Sequence, residues 1–464
     1  MFCGKVFQTP SGQSYAYITE TNRIVTLLPE WYGSIDSAQQ ENIVFQALED
    51  TDEIIGSPLD AIEWPMTAEE YISRVNDSIP SVILEITQEC TLRCEYCVYS
   101  GNYEKTRTHS DCHMTMDTVR RGLDFYAEHS KGHSHAQISF YGGEALIRFD
   151  IVQYAVEYAR KIFDGRSLSF RISSNGTTLT DQVIDWLNIN EDISVTVTIN
   201  GFGHDTYRKF PTGESSLDII MQNIRRIHNN YPDLWSRVDF LANISSLQEL
   251  IDLRRFYMDQ IGKPPLLITG ILEYGGNEKI QSIIHITDTK EAIEEVHRLY
   301  CDNLDPYIKP YFHADIYEIC LRPVGQRERI CKETACCMPF MSNLFISANG
   351  KFGPCERVGA WSRCGDIDQG INIDNTLELL RTVLDIQNKR CRNCWCQRLC
   401  TICFKDFQAE TDGGISLPEA LCQEMRAGVE EALRLFCEMG ERNPSTLEEI
   451  EKSVWEYEAK HCSL

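Results

Sequence analysis

No apolar run in this 464-residue chain reaches the ~20 residues that a membrane-spanning helix needs. The first residues, MFCGKVFQTPSGQSY, carry neither a basic stretch nor an apolar core, so they lack the form of a secretory signal. Positive charge is scarce: 44 Lys and Arg stand against 69 Asp and Glu, a formal net charge of -25. A surface this acidic repels phosphate backbones, which weighs against nucleic acid as a partner and suits a basic peptide better. There is no internal repeat and no low-complexity tract. A soluble, cytoplasmic protein with no membrane association is expected, with 42% hydrophobic residues to fill its core.

Cysteine is missing over one long stretch. None lies between Cys112 and Cys301, although the chain has 20. Five precede that gap and fifteen follow it. In a reducing compartment such clustering points to metal binding or catalysis rather than a disulfide framework. The chain reads as a small cysteine cluster, a cysteine-free scaffold and a cysteine-rich end.

Three regions follow from periodicity. Residues 1–80 open with alternating runs at Lys5–Gln8 and Tyr15–Ile18 around Pro10-Ser11-Gly12, a hairpin, with a third strand at Ile24–Leu28. A helix is expected over Ala38–Leu48, then a looser stretch with Pro58, Pro65 and Pro80. Over residues 81–310, strand patterns at Val82–Thr87, Gln137–Tyr141, Leu168–Ser173, Ser194–Ile199, Val238–Ile244 and Leu266–Thr269 alternate with helical ones. The helices are Thr115–His129, Phe149–Phe163, Asp181–Leu187, Ser216–His228 and Leu247–Ile261. That alternation predicts an α/β fold of parallel βα units, a partial (β/α)6 barrel, with ligands at the carboxyl ends of the strands. Residues 311–464 read as loops, Gly and Cys, with a final helix over Pro418–Met439.

The first cluster, Cys90-x3-Cys94-x2-Cys97, lies just past the first strand of the barrel pattern. Three thiolates on one loop hold three irons of a cubane and leave the fourth open; a zinc knuckle would want a fourth local ligand. The spacing, with Tyr96 before the last Cys, resembles the signature of the radical S-adenosylmethionine (SAM) superfamily. The resemblance implies that the open iron chelates SAM, which is cleaved to methionine and a 5′-deoxyadenosyl radical. Phe140-Tyr141-Gly142-Gly143-Glu144 resembles the family's SAM-ammonium motif, Ser174 and Asn175 its ribose-contacting segment, and Asn200 with Arg208 the following strand-end contacts. Alone, each of these strand ends reads as a turn. No Asp, Glu or Tyr stands out as a catalytic base. His109, His113, His129, His133 and His135 read as a solvated connection, and Met114 and Met116 as core at a helix start.

The terminal cysteines, taken alone, include enough close pairs for a four-thiolate zinc site. The wider order resembles the SPASM domain of radical SAM peptide maturases: Cys337, a short hairpin over Leu344–Ser347 and Gly350–Phe352, Cys355, then Cys391, Cys394, Cys400, Cys403 and Cys422. The resemblance implies two auxiliary [4Fe-4S] clusters. One would use Cys337, Cys355 and Cys403, with Cys331 as fourth ligand or an open site. The other would use Cys391, Cys394, Cys400 and Cys422. The last block ends C-x2-C where the family has C-x3-C, and Cys336 and Cys396 offer substitute ligands. Cys3, Cys112, Cys301, Cys320, Cys364, Cys437 and Cys462 read as buried small side chains. The family implies a ribosomally made precursor peptide with a leader, Cys-containing, as substrate. It also implies an electron donor such as a flavodoxin or ferredoxin, and intramolecular thioether crosslinks as product. Carbon–carbon or carbon–oxygen crosslinks, epimerisation and formylglycine formation remain open, as does a non-catalytic metal scaffold. Residues 1–80 would suit leader recognition, and residues 311–464 the auxiliary clusters.

Overall fold

The computed structural model describes residues 4–28, 62–64, 66–103, 107–271, 280, 288–322, 324, 338–358, 364–410 and 414–461. The helix expected over Ala38–Leu48 lies outside them, as do Cys3, Cys331, Cys336, Cys337 and Cys462. At the N-terminus β1 (Gly4–Gln8), β2 (Ser14–Ile18) and β3 (Arg23–Leu27) form an antiparallel sheet in that order. A helix missed among the prolines, α1 (Ala68–Asp77), starts on a capping box in which Thr67 and Glu70 exchange hydrogen bonds.

The barrel strands are β4 (Ser81–Thr87), β5 (His135–Gly142), β6 (Ser167–Ser174), β7 (Ile193–Thr198), β8 (Val238–Ile244) and β9 (Leu267–Gly270). All pair in parallel in that order. Between them run α2 (Met116–His129), α3 (Phe149–Ile162), α4 (Asp181–Ile189), α5 (Leu217–Asn230) and α6 (Leu247–Phe256). The sequence dictates this locally. Thr115 and Thr180 cap α2 and α4 by accepting from the backbone N–H three residues on. Val119, Gly122, Leu123 and Tyr126 then bury one stripe of α2, and Val238, Phe240, Ala242 and Ile244 bury alternate positions of β8.

The sheet is larger than six strands. The hairpin β10 (Leu344–Ile346) and β11 (Phe352–Gly353) joins it, in the order β11-β10-β4-β5-β6-β7-β8-β9. β10 lies parallel to β4, with Phe345 opposite Ile83, and β11 runs antiparallel to β10. Among the described residues no pairing joins β9 to β11, so the barrel stays open.

The chain beyond β9 is more helical than its Gly and Cys suggest. It forms α7 (Lys290–Asn303), α8 (Lys309–Leu321), α9 (Ile373–Arg390), α10 (Glu419–Arg442) and α11 (Pro444–His461). α7, α8, α10 and α11 pack together, α8 against β9 and α10 against β1, and α9 runs between the hairpin and the last cysteines. The N-terminal sheet docks on α10: Thr9 Oγ1 and Tyr15 Oη each donate to Glu441 at 2.8 Å, and Lys5 pairs with Glu430 at 3.3 Å. No helix of the described residues is long and apolar enough to cross a membrane.

Candidate functional site

The loop after β4 carries the first three cysteines and is held by its own turns. Cys97 N–H donates to Cys94 O, and the N–H groups of Leu92 and Tyr99 point at the sulfurs of Cys90 and Cys97, both at 3.4 Å. Arg93 and Glu95 N–H donate to the carbonyls of Lys209 and Tyr207, which ties the loop to the chain beyond β7. Burial pushes the Cys90 and Cys97 thiols up to about 12. Bound iron reverses that, because a metal-bound thiol is deprotonated.

The end of β5 presses on this loop. Gly143 N–H donates to Thr87 O and Glu144 N–H to Glu89 O, each at 2.8 Å. A Cβ on Gly142, where φ is +140°, would sit 2.1 Å from Thr87 O, and one on Gly143 would sit 2.2 Å from Glu89 O. Both positions therefore require glycine. Glu144 is buried behind them. Its carboxylate accepts from Asn175 N at 2.6 Å, Thr178 Oγ1 at 2.9 Å, Ser174 Oγ at 3.0 Å and Leu146 N at 3.3 Å. Burial raises its pKa against the pull of those four donors. Asn175 Nδ2 reaches Cys90 Sγ at 3.6 Å and Thr91 Oγ1 at 2.9 Å. The ends of β5 and β6 thus meet the cysteine loop directly.

On the other side of the loop the Tyr96 hydroxyl accepts from Asn200 Nδ2 at 2.9 Å, Arg208 Nη1 at 3.1 Å and Asn243 Nδ2 at 3.4 Å. Arg208 is buried, and its Nε has no hydrogen-bond partner among the described residues. A buried guanidinium with a spare donor beside three thiols is a seat for an anion. Asn243 was not anticipated. It donates from its backbone to Asn200 Oδ1 at 3.0 Å and accepts from Thr269 Oγ1 at 2.8 Å. Its position next to the end of an alternating strand was the available signal. Glu85, also not anticipated, is a fully buried carboxylate within β4. It accepts from Tyr99 Oη, Arg107 Nη1 at 2.7 Å, Gln88 Nε2 at 3.1 Å and Ala348 N at 2.9 Å.

The histidines are not a solvated connection throughout. His109 stacks on Tyr99 with ring centroids 5.7 Å apart, and His113 Nδ1 lies 2.7 Å from Thr87 Oγ1. Met114 is core as expected, but Met116 is 46% exposed.

In the C-terminal region the β10–β11 hairpin delivers Cys355, and Cys403 lies close enough to act on it electrostatically. Their expected partners Cys331 and Cys337 lie outside the described residues. At the end of α9, Cys391, Cys394, Cys396, Cys400 and Cys422 line a void of about 80 Å³. Turns from Cys394 N–H to Cys391 O and from Leu399 N–H to Cys396 O turn these thiols inward, and Cys422 sits in the first turn of α10. Cys394 is lowered to about 6, first by its contact with Cys396 and also by Arg426. Of the cysteines expected to be inert, Cys301, Cys320, Cys364 and Cys437 are buried, and Cys112 is half-buried.

Between the first loop and the C-terminal region lies a cavity of about 810 Å³. Tyr96, Cys97, Tyr141, Asn243 and Thr269 line one side, and Thr401, Lys405, Asp406 and Phe407 the other. Among the described residues no three His, Cys, Asp or Glu converge on one ion. A cubane does not require that, since it spreads its thiolates over separate irons.

Residues 84–253 match the radical SAM superfamily. They form a radical SAM domain. The serine-type anaerobic sulfatase-maturating enzyme of Bacteroides thetaiotaomicron is 31% identical over 138 residues, 29% of this chain and 33% of that protein. The cysteine-type enzyme of Clostridium novyi is 26% identical over 165 residues, 33% of this chain and 41% of that protein. The chain thus spans less than half the length of these relatives. A solved structure, native anSMEcpe with bound AdoMet and Cp18Cys peptide, superposes with a TM-score of 0.58 at 15% identity, over 81% of this chain and 99% of that one. That is a likeness of fold. A radical SAM domain implies a [4Fe-4S] cluster and SAM, and the residues here fit both. Cys90, Cys94 and Cys97 supply three thiols on the loop after β4, and the spare donor of Arg208 suits a carboxylate.

Proposed function

We propose that this protein modifies a ribosomally made precursor peptide by radical chemistry and forms intramolecular Cys thioether crosslinks. The observation that carries the reading is the about 810 Å³ cavity, which has Cys97 on one wall and Thr401 to Phe407, around Cys403, on the other. Bound at Cys90, Cys94 and Cys97, the cluster supplies one-electron cleavage of SAM. With SAM bound, Glu144 would meet its ammonium, Arg208 its carboxylate, and Ser174, Asn175 and Asn200 its ribose. Tyr96 holds Asn200 and Arg208 in place through its hydroxyl. Tyr141 and Tyr103 wall the cavity and keep water from the reacting carbon. A substrate thiol reaching the far wall meets the auxiliary region held by Cys355 and Cys403. The void lined by Cys391, Cys394, Cys400 and Cys422 suits a second auxiliary cluster, and an external flavodoxin or ferredoxin donates the electron that cleavage of SAM consumes.

Formylglycine formation is the second reading, favoured by the names of the two relatives. Anaerobic reconstitution followed by SAM, dithionite and a Cys-containing precursor separates the readings. Thioether formation removes a hydrogen pair and a free thiol from the peptide and leaves it inert to hydrazide. A hydrazide-reactive product assigns the second reading. No 5′-deoxyadenosine, or its release unchanged in Cys90/Cys94/Cys97→Ala, refutes both.

Residues 1–80 serve leader recognition in this reading, with the leader adding to β3, the edge of the N-terminal sheet that α10 leaves open. Leader binding then slows amide hydrogen exchange over Arg23–Leu27; unchanged exchange rules it out.

A further inference from the structure

Five charged side chains line the cavity between the cysteine loop and the C-terminal region: Asp315, Arg357, Lys405, Asp406 and Glu431. Three of them are matched within the protein. Lys405 pairs with Asp406, and Glu431 meets His297 at 3.4 Å as well as Arg434 on its own helix. Asp315 and Arg357 have no ion pair among the described residues. They do not neutralise each other. Arg357 acts on Tyr141 in β5, whereas Asp315 stands on α8, which packs against β9 at the other end of the strand row.

Asp315 is open to the cavity rather than packed. Enclosure by the walls raises its pKa, Glu318 adds to the rise, and no described cation opposes it. A carboxylate held away from bulk water without a counter-ion favours any cation that reaches it. Tyr311, one helical turn earlier, lines the same cavity, and the pair is close: burial, with the Asp288 and Asp315 carboxylates, pushes the Tyr311 hydroxyl up to about 12. A charged acceptor beside an aromatic ring is what a Lys ammonium or an Arg guanidinium recognises. A hard divalent metal would want several oxygens where one carboxylate stands. We propose that Asp315, with Tyr311, selects precursor peptides that carry a Lys or Arg near the residue to be modified, by seating that side chain against the α8 wall. The proposal rests on the reading that the cavity receives a peptide. The formal net charge of -25 draws a basic peptide toward the same site. Asp315 sets specificity in this account and takes no part in the bond changes.

Fluorescein-labelled Cys-containing peptides, with one Lys, Gln or Glu placed in turn at each position beside the Cys, are titrated by anisotropy into full-length protein reconstituted anaerobically with SAM. Release of 5′-deoxyadenosine is read in parallel. At one spacing from the Cys the Lys peptide binds about tenfold tighter than its Gln counterpart, and the Glu peptide binds weaker than either. Asp315→Asn removes this preference. Asp315→Lys turns it toward Glu, a reversal that a misfolded chain cannot give. Binding without regard to charge, or a Lys preference that survives in Asp315→Lys, overturns the seat and leaves the peptide reading standing. Slower 5′-deoxyadenosine release in Asp315→Asn, alike for every peptide and at unaltered affinity, also overturns it and assigns Asp315 to the chemistry. If no peptide of any charge binds, the cavity takes no peptide, and the reading fails with the proposal.

Discussion

Replacing Glu85 by Gln tests whether the cysteine loop and the C-terminal hairpin are held by one buried ion pair. The carboxylate is fully buried and meets four donors: Tyr99 from the cysteine loop, Gln88, Arg107, and the backbone N–H of Ala348 beyond β10. Arg107 is itself clamped, its guanidinium 4.9 Å from the Tyr99 ring and 4.8 Å from that of Phe345. Its side chain is 14% exposed, so little water remains to stabilise the charge. Gln keeps the shape of Glu85 but turns one acceptor into a donor. In one orientation its NH2 faces Ala348 N–H, which cannot turn away. In the other it faces the Arg107 cation. Removing one member of a buried pair costs about 3–5 kcal/mol, because the other charge is left unneutralised. At about 2.1 cal/mol/K of unfolding entropy per residue, a chain of this length unfolds with about 1 kcal/mol/K, so the cost lowers Tm by about 3–5 °C.

The assay is a thermal melt of reconstituted protein, followed by the loss of visible cluster absorbance as well as by circular dichroism. The control is Arg107→Met, alone and with Glu85→Gln. Removing both charges relieves the unneutralised partner, so the double variant is more stable than the sum of the two losses predicts. Strict additivity, or a Glu85→Gln protein melting within about 1 °C of wild type, refutes the clamp.

Three other outcomes follow from the geometry. Glu144→Gln sets an amide N–H against the N–H of Asn175 at 2.6 Å, and loses charge-assisted bonds worth about 1.5–3 kcal/mol each; SAM affinity, read by equilibrium dialysis, falls at least tenfold, and unchanged affinity would remove Glu144 from the site. Gly143→Ala drives a Cβ into Glu89 O and shifts the backbone that carries Cys90, so iron at the first cluster falls after reconstitution; full iron content would show that the loop yields freely. His297, 4% exposed, lies between Glu438 at 2.9 Å and Glu431 at 3.4 Å; burial opposes its charge, but the two carboxylates raise it to about 9. With the folded value above the unfolded one, near 6.5, the stabilisation is complete below about pH 6.5 and is lost as pH rises through about 9, by up to about 3 kcal/mol; a His297→Gln chain with the same decline in Tm over that window would refute the assignment.

The barrel was legible because strands such as β7 and β8 alternate apolar and polar residues, β5, β6 and β9 end in Gly142, Ser174 and Gly270, and α2, α4 and α6 open on the caps Thr115, Thr180 and Ser246. Cys90, Glu144, Ser174, Asn175, Asn200 and Arg208 were legible through their resemblance to the motifs of the radical SAM superfamily, and the structure brings them around one loop. What failed were signals that sequence spacing does not carry. α8 has apolar residues all round rather than on one stripe, so Tyr311, Phe312 and Ile316 gave no helical period. α9 does have one, with Leu377, Leu380 and Val383 buried behind an Asn372 cap, but it lies between cysteine blocks that read as loop. Pairing of β10 with β4 joins residues 344 and 82, and no local pattern encodes a partner at that distance. Glu85 is invisible for a related reason. A charged residue inside a strand reads as a flaw until its partner, Arg107 on the far side of the cysteine loop, is placed beside it.

The pairing of β10 with β4 bears on how the hairpin that leads to Cys355 is kept in register with the Cys90–Cys97 loop. β4 is flanked on one side by β5, which ends in Gly142 and Gly143, and on the other by β10, whose hairpin leads to Cys355. Both walls of the cavity are therefore measured from one strand. A flexible linker would let the distance from Cys97 to Cys355 vary, and a reacting group misplaced by an ångström loses rate steeply. Backbone pairing fixes position along the strand, but β10 contributes three residues and so holds weakly by itself. The carboxylate of Glu85 adds the missing constraint, because it joins Ala348 beyond β10 to Tyr99 in the cysteine loop through the same buried group. On this argument the buried charge is retained for registration more than for stability, a role open to some buried ion pairs. The Glu85→Gln/Arg107→Met chain separates the two. If it regains stability yet still releases 5′-deoxyadenosine without forming the proposed peptide product, registration is what the pair provides.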